Sequence, residues 1–294
     1  IRVFEELSKT FPEIHIIVGN HDIMRKNSND ISSVDCLKYI PNVHVHKEPK
    51  ILEYGKSKCL LMPWRRDSAH EKETLGKIKG KIDYMFCHTE TQGVQTSPNT
   101  RYLHDGGNDV KTFKRFKRVY SGHIHYRQEK GNFILVGNPY QMTRSDRDNQ
   151  KGIYRLDLDS GEHTFIPNER SPQFMRYYIN DIMEMRMEDI LKDIDGNFVD
   201  VFIPSNILGK YNINKFMDFL DGNARRLEPR IYDEENPVDY DDEQTSDFSG
   251  ELNLMNIAAD HINSLNYDED LKERLIKSVS ELYKQTLTPS YEDS

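Results

Sequence analysis

Three times along this chain a short apolar run ends in a polar cluster that carries histidine. Glu13 to Val18 (EIHIIV) runs into Gly19-Asn20-His21-Asp22. Ile82 to Cys87 (IDYMFC) runs into His88-Thr89. Arg118 to Ser121 runs into Gly122-His123-Ile124-His125. Short apolar runs bounded by turn residues read as buried strands. Lys58 to Met62, closed by Pro63, and Phe133 to Val136, followed by Gly137-Asn138-Pro139, are two more. Ser68 to Lys79 between them is polar and helix-prone. Strands alternating with helical segments predict an α/β sheet, in which ligands gather beyond the loop ends of the strands. Such an architecture would converge the three histidine clusters on one point.

The pattern changes after about Lys151. Ile153 to Leu158 and His163 to Ile166 flank Asp159-Ser160-Gly161, a β-hairpin signal. Phe174 to Ile179 reads as a strand, Asp181 to Ile194 as a helix, Phe198 to Ile203 as a strand, and Asn212 to Leu220 as a helix with Ile213, Phe216, Met217 and Leu220 at helical spacing. Ala224 to Tyr232 closes this part as a strand. The expected layout is therefore a first domain over 1–150 and a smaller α+β domain over 151–232. Residues 233–250 hold no Lys or Arg and read as an acidic linker. Residues 251–287 form a pair of amphipathic helices, the second with Leu271, Leu275, Ile276, Val279, Leu282 and Tyr283 as its apolar stripe.

Bulk properties narrow the class. A chain of 294 residues, 36% hydrophobic and 30% charged, predicts a soluble globular protein. No apolar run is long enough for a membrane span, and no signal-peptide pattern opens the chain, so a cytoplasmic setting is expected. The three cysteines (Cys36, Cys59, Cys87) lack CxxC spacing and read as reduced thiols. The net charge of −9 argues against a generally basic nucleic-acid binder, but the charge is unevenly spread.

Imidazole suits manganese, iron or zinc, and an amide or carboxylate oxygen suits the harder ions. One GxH is a weak signal. The ordered set GNHD, a histidine after a strand, then GHxH is far more specific. These clusters resemble the later signature motifs of the calcineurin-like metallophosphoesterases, and the continuation Gly137-Asn138-Pro139-Tyr140-Gln141 is similar to the nuclease subunit of the SbcCD type, especially its phage recombination endonuclease counterpart. The resemblance implies a metallophosphoesterase sheet sandwich, a capping domain and C-terminal docking helices. It also implies two divalent metal ions, manganese being the expected one. Asn20, His88 and His123 would hold one ion, and His125 would help hold the other. His21 would stabilise the transition state or protonate the leaving oxygen. The family's upstream DxH and GDxxx motifs do not occur before Asn20, and the opening stretch reads like the middle of a domain. The expectation is thus an N-terminally truncated chain that lacks its first strand or strands and most second-site ligands, and that is inactive or nearly so by itself.

Further features stay open. Lys111, Lys114, Arg115, Lys117 and Arg118 form a basic run that would contact the DNA backbone or be a solvated face. Arg65 and Arg66 after Trp64 would clamp nucleic acid or be structural. Cys87, where relatives often carry glycine, would add a thiolate or be a packed thiol. Tyr140 and Gln141 would border the pocket or shape a turn. The resemblance further implies a DNA substrate, a homodimer, and docking of the C-terminal helices on an SbcC-type coiled-coil ATPase. This chain has no GxxxxGK[ST] loop, so ATP hydrolysis would reside in that partner. Alternatives are another metallophosphoesterase, either a phosphatase or a phosphodiesterase, and a non-catalytic scaffold subunit.

Overall fold

The computed structural model describes residues 1–25, 28–98, 103–207, 213–232, 262 and 271–279. The chain separates into two units, Ile1–Asp241 and Asp242–Ser294.

The first unit opens with α1 (Arg2–Thr10) and β1 (Ile14–Ile17). A small antiparallel ribbon, β2 (Ile23–Arg25) and β3 (Ser28–Ser32), leads into a 3-10 turn over Ser33–Tyr39. Ser32 caps that turn and Asp35 bonds back to the Ser32 amide, a reciprocal cap. β4 (Val43–His46) then returns parallel to β1. Next come β5 (Lys50–Tyr54), β6 (Ser57–Met62), α2 (Ser68–Lys77), β7 (Tyr84–Cys87), the short β8 (Thr91–Gln92) and β9 (Asn108–Asp109), β10 (Arg118–Ser121), β11 (Gln128–Lys130) and β12 (Phe133–Leu135).

Six of these strands make one mixed sheet in the order β11-β12-β10-β7-β6-β5. Its four inner strands, β6, β7, β10 and β12, are mutually parallel, so their C-terminal ends share one edge. Both faces are covered, as parallel strands require. Alternate residues Leu60, Met62, Met85, Cys87, Val119, Phe133 and Leu135 enter one core with Leu75 of α2 and with Phe113 and Phe116. The other face receives the hairpin β13 (Gly152–Leu156) and β14 (His163–Pro167). Tyr154 and His163 stack on each other and meet the Tyr120 ring at a steep angle, and Arg118 donates to the His163 ring nitrogen at 2.6 Å. The hairpin that the sequence puts at the start of the second domain thus packs on the first sheet.

A second, smaller sheet follows. β15 (Phe174–Tyr178), α3 (Ile179–Glu184), α4 (Met187–Ile194), β16 (Phe198–Pro204), α5 (Ile213–Asp221) and β17 (Arg226–Tyr232) build three parallel strands in chain order. The sequence suggests one helix over Asp181–Ile194. The structure breaks it at Met185 and Arg186, both extended. The break lets Ile179 and Ile182 on one side and Ile190 and Ile194 on the other reach the same core. The opposite face of this sheet is tied to the segment after β12 by charge. Arg144 Nε lies 3.1 and 2.8 Å from the two oxygens of buried Asp200, and Arg144 also reaches Glu228 at 2.6 Å. Gln141 Oε1 accepts from the Phe174 amide at 2.6 Å.

In the second unit, residues 271–279 are helical, with Leu271, Leu275, Ile276 and Val279 half-buried and Glu273, Arg274, Lys277 and Ser278 exposed. The expected acidic linker, the first helix of the expected pair apart from Ile262, and Leu282 and Tyr283 lie outside the described residues. Among the described residues, no helix is long and apolar enough to cross a membrane.

Candidate metal centre

The parallel strands do what their sequence predicts. β1 delivers Gly19-Asn20-His21-Asp22, β7 delivers His88, and β10 delivers Gly122-His123. Backbone bonds lock the strand ends together. Trp64 N donates to Val18 O at 2.8 Å, His88 N to Met62 O at 3.2 Å, and Gly122 N to Cys87 O at 2.9 Å. Asp22 folds back to accept the Gly19 amide at 2.8 Å, which fixes the first loop.

Asn20, His88 and His123 meet there. Asn20 Oδ1 lies 2.8 Å from His88 Nε2 and 3.3 Å from His123 Nδ1. Donor atoms about 2.1 Å from a transition metal and at right angles to one another sit about 3 Å apart, so this spacing fits three ligands of one ion. Two glycines cradle the His88 ring. A Cβ on Gly19 would stand 2.9 Å from His88 Cε1, and one on Gly122 would stand 3.0 Å from His88 Nδ1. Burial, and then the neighbouring His123, His21 and His125, push the His88 pKa down to about 3. The ring is therefore neutral at physiological pH, the form a metal needs. His123 takes φ +76, a left-handed conformation that costs a non-glycine residue about 1–2 kcal/mol and is typical of functional sites. Among the described residues, no three His, Cys, Asp or Glu side chains gather as a metal-holding group. The set reaches three donors only through the Asn20 carboxamide.

His21 and His125 are exposed at the rim, near enough to contribute to the His88 shift. The His125 backbone is held from behind. Gly137, at φ +68, passes so close that a Cβ would lie 2.8 Å from His125 O. Lys151 Nζ donates to the same carbonyl at 2.7 Å and to Asp146 Oδ1 at 2.7 Å. The Lys151 and Asp146 side chains are 3% and 2% exposed. Burial opposes ionisation of Asp146, but Lys151 and the Met142 and Thr143 amides outweigh it and hold the carboxyl below its usual range.

The other expected residues scatter. Cys87 packs in the core of the sheet, where burial pushes its thiol far up, so it acts as a packed thiol. Arg65 is buried and engaged by Glu48 and the Lys47 carbonyl. Arg66 is exposed and paired with Asp67. The basic run precedes β10, at the end of the strand opposite His123. There Lys111 pairs with Asp109, and Lys117 with Asp83. Arg115 caps the end of α2 through the carbonyls of Leu75 and Ile78, and Lys114 is exposed. The structure does not bring this run to the triad.

Trp64 is the functional neighbour that the sequence did not mark as such. Its ring centroid lies 5.2 Å from that of His123 and 6.0 Å from that of His88. Its position just after Pro63 at the end of a strand was the available signal.

No family model matches the chain. The chain is 25% identical over 286 residues to "Exonuclease subunit 1" of Enterobacteria phage T4, covering 92% of this chain and 76% of that protein.

Proposed function

We propose that this chain is the nuclease subunit of a DNA double-strand-break end-processing or recombination complex, built on a calcineurin-like metallophosphoesterase fold. The observation that carries the reading is the convergence of Asn20, His88 and His123 at ligand spacing. The resemblance of the exonuclease subunit over nearly the whole chain supports it.

Asn20, His88 and His123 would hold one divalent ion, manganese by chemistry and resemblance, and His125 would contribute to a second. Such ions offset charge on a phosphoryl oxygen and make water acidic enough to supply a nucleophile near neutral pH. The chain's own residues do the rest. Neutral His88 offers a lone pair without needing to lose a proton. Trp64 shields both rings from bulk water. His21, exposed at the rim, would hand a proton to the leaving oxygen. Lys151 and Gly137 fix the His125 loop. Asn20, His88 and His123 would make up one site, and His125 part of another. An SbcC-type ATPase docked on the C-terminal helices and a second copy of the chain complete the proposed assembly.

Trp64 is the one tryptophan in the chain. A manganese titration of its fluorescence should show saturable quenching with one equivalent, lost in His88→Gln and His123→Gln. Quenching that persists in both variants, or none in the parent chain, would refute the site. Metal binding without manganese-dependent cleavage of linear DNA, even with the ATPase partner present, would favour the scaffold alternative.

A further inference from the structure

The parallel ribbon of β1 and β4 has two unlike faces. Ile14, Ile16, Val43 and Val45 turn one way and pack on Leu37 and Ile40. Side chains alternate along a strand, so His15, His44 and His46 share the opposite face, with His15 beside His44 in the register. None of the three belongs to the candidate metal centre.

His15 and His46 meet nitrogen to nitrogen. Nδ1 of the first lies 2.9 Å from Nε2 of the second, within the ligand spacing of Asn20, His88 and His123. On the far side of the His15 ring, Nε2 lies 3.3 Å from Glu13 Oε2 and 3.1 Å from the Tyr54 hydroxyl, which itself donates to Glu13 at 3.2 Å. A metal-bound imidazole almost always gives its far N–H to a carboxylate, carbonyl or water, which fixes the tautomer and aims the other lone pair at the ion. Glu13 favours that state of His15: with the proton on Nε2, Nδ1 turns a lone pair toward His46. Burial, and then the nearby His15, His44 and Lys50, push the His46 pKa down to about 4, so its ring is neutral at physiological pH. The pair is not sealed. The His15 side chain is 17% exposed and His46 is half-buried, so a hydrated ion has access. Glu13 stands behind His15, and His44 stacks on the His15 ring at 4.9 Å, so the direct donors are the two facing imidazoles.

We infer that His15 and His46 form a further site for a divalent transition ion such as zinc, with Glu13 as the outer carboxylate behind His15 and water completing the coordination. Two imidazoles without a direct carboxylate favour zinc over manganese, which separates this site from the manganese centre proposed above. The bound ion would clamp β1 to β4 just ahead of the loop that carries Asn20. The inference stands on these residues alone and does not depend on the nuclease reading.

The test titrates zinc chloride by calorimetry into the full chain carrying Cys36→Ser and His88→Gln, which remove the exposed thiol and one donor of the Asn20 set from the count. One equivalent should bind, and zinc should raise the urea midpoint read by Trp64 fluorescence. His46→Gln should abolish both effects. Glu13→Gln, at an exposed position, should weaken zinc binding about ten- to a hundredfold, the usual cost of losing such an outer carboxylate, and it decides the matter if His46→Gln fails to fold. Manganese should bind the same chain far more weakly than zinc. No zinc binding, affinity that survives His46→Gln, affinity unmoved by Glu13→Gln, or manganese preferred to zinc would each overturn the inference.

Discussion

Replacing Lys151 by Met should be among the most damaging single changes to the first unit. The ammonium is 3% exposed and faces an Asp146 carboxylate that is 2% exposed. Met preserves much of the volume and removes the charge. Asp146 Oδ2 keeps its donors, the Met142 and Thr143 amides at 2.9 and 3.1 Å and Asn138 Nδ2 at 3.4 Å. Among the described residues, Oδ1 has Lys151 as its only donor and is left bare. Breaking one side of a buried pair costs about 3–5 kcal/mol, and the His125 carbonyl loses a bond worth about 1 kcal/mol. The surviving donors on Oδ2 place the expected loss near the lower end, about 3 kcal/mol. Urea unfolding followed by Trp64 fluorescence reads this directly, because the only tryptophan lies in the first unit. Adding Asp146→Asn should restore at least about 1 kcal/mol, since a neutral amide needs no counter-charge. A loss below about 1 kcal/mol in K151M, or a double variant that loses the sum of the two singles, would refute the claim that this pair is a coupled, buried clamp.

Gly19→Ala should abolish manganese quenching of Trp64 while changing the urea midpoint little, because its Cβ strikes the His88 ring at 2.9 Å; retained quenching would mean the ring can move aside. Glu71 is buried against Asn108, and burial raises its pKa. Its folded pKa lies above the unfolded one, so its contribution to stability is present at low pH and is lost as pH rises through the folded value. Glu71→Gln should therefore unfold at higher urea than the parent at pH 7 and lose that advantage below the ordinary glutamate range; a constant difference across pH would exclude the linkage. An aromatic disulfide reagent should label Cys36 at once but leave Cys59 and Cys87 untouched until urea is added, as the first is exposed and the other two are buried. Three fast thiols would contradict the packing.

The strand ends and their histidine clusters were legible because their signal is local, whereas the choice of Asn20, His88 and His123 as one set was implied by the resemblance. An apolar run followed by glycine and histidine states both where the strand ends and what it presents. The glycines of GNHD and GHIH read as turn residues, yet their real work is to clear space for His88, which no window along the chain reveals. The basic run stayed open between DNA contact and a solvated face for the converse reason. Its residues adjoin in sequence but lie at the wrong end of β10, and Arg115 and Lys117 answer to α2 and Asp83. Lys151, Asp146 and Arg147 were invisible because burial of a charge depends on what folds over it. The hairpin was read correctly as a hairpin, but not where it would pack, since Tyr154 and His163 find Tyr120 only in three dimensions.

The triad also has a history in time. Asn20 is separated from His88 by 68 positions and from His123 by 103. Contacts that distant are late ones, since the intervening chain must first be ordered and the loop entropy overcome. A growing chain that has exposed Asn20 and His88 still lacks its third donor until the strand bearing His123 has left the ribosome. Capture of the proposed metal ion would therefore not guide assembly of the sheet; it would only reward a sheet already assembled. Manganese should then slow unfolding of the first unit and leave its refolding rate nearly unchanged.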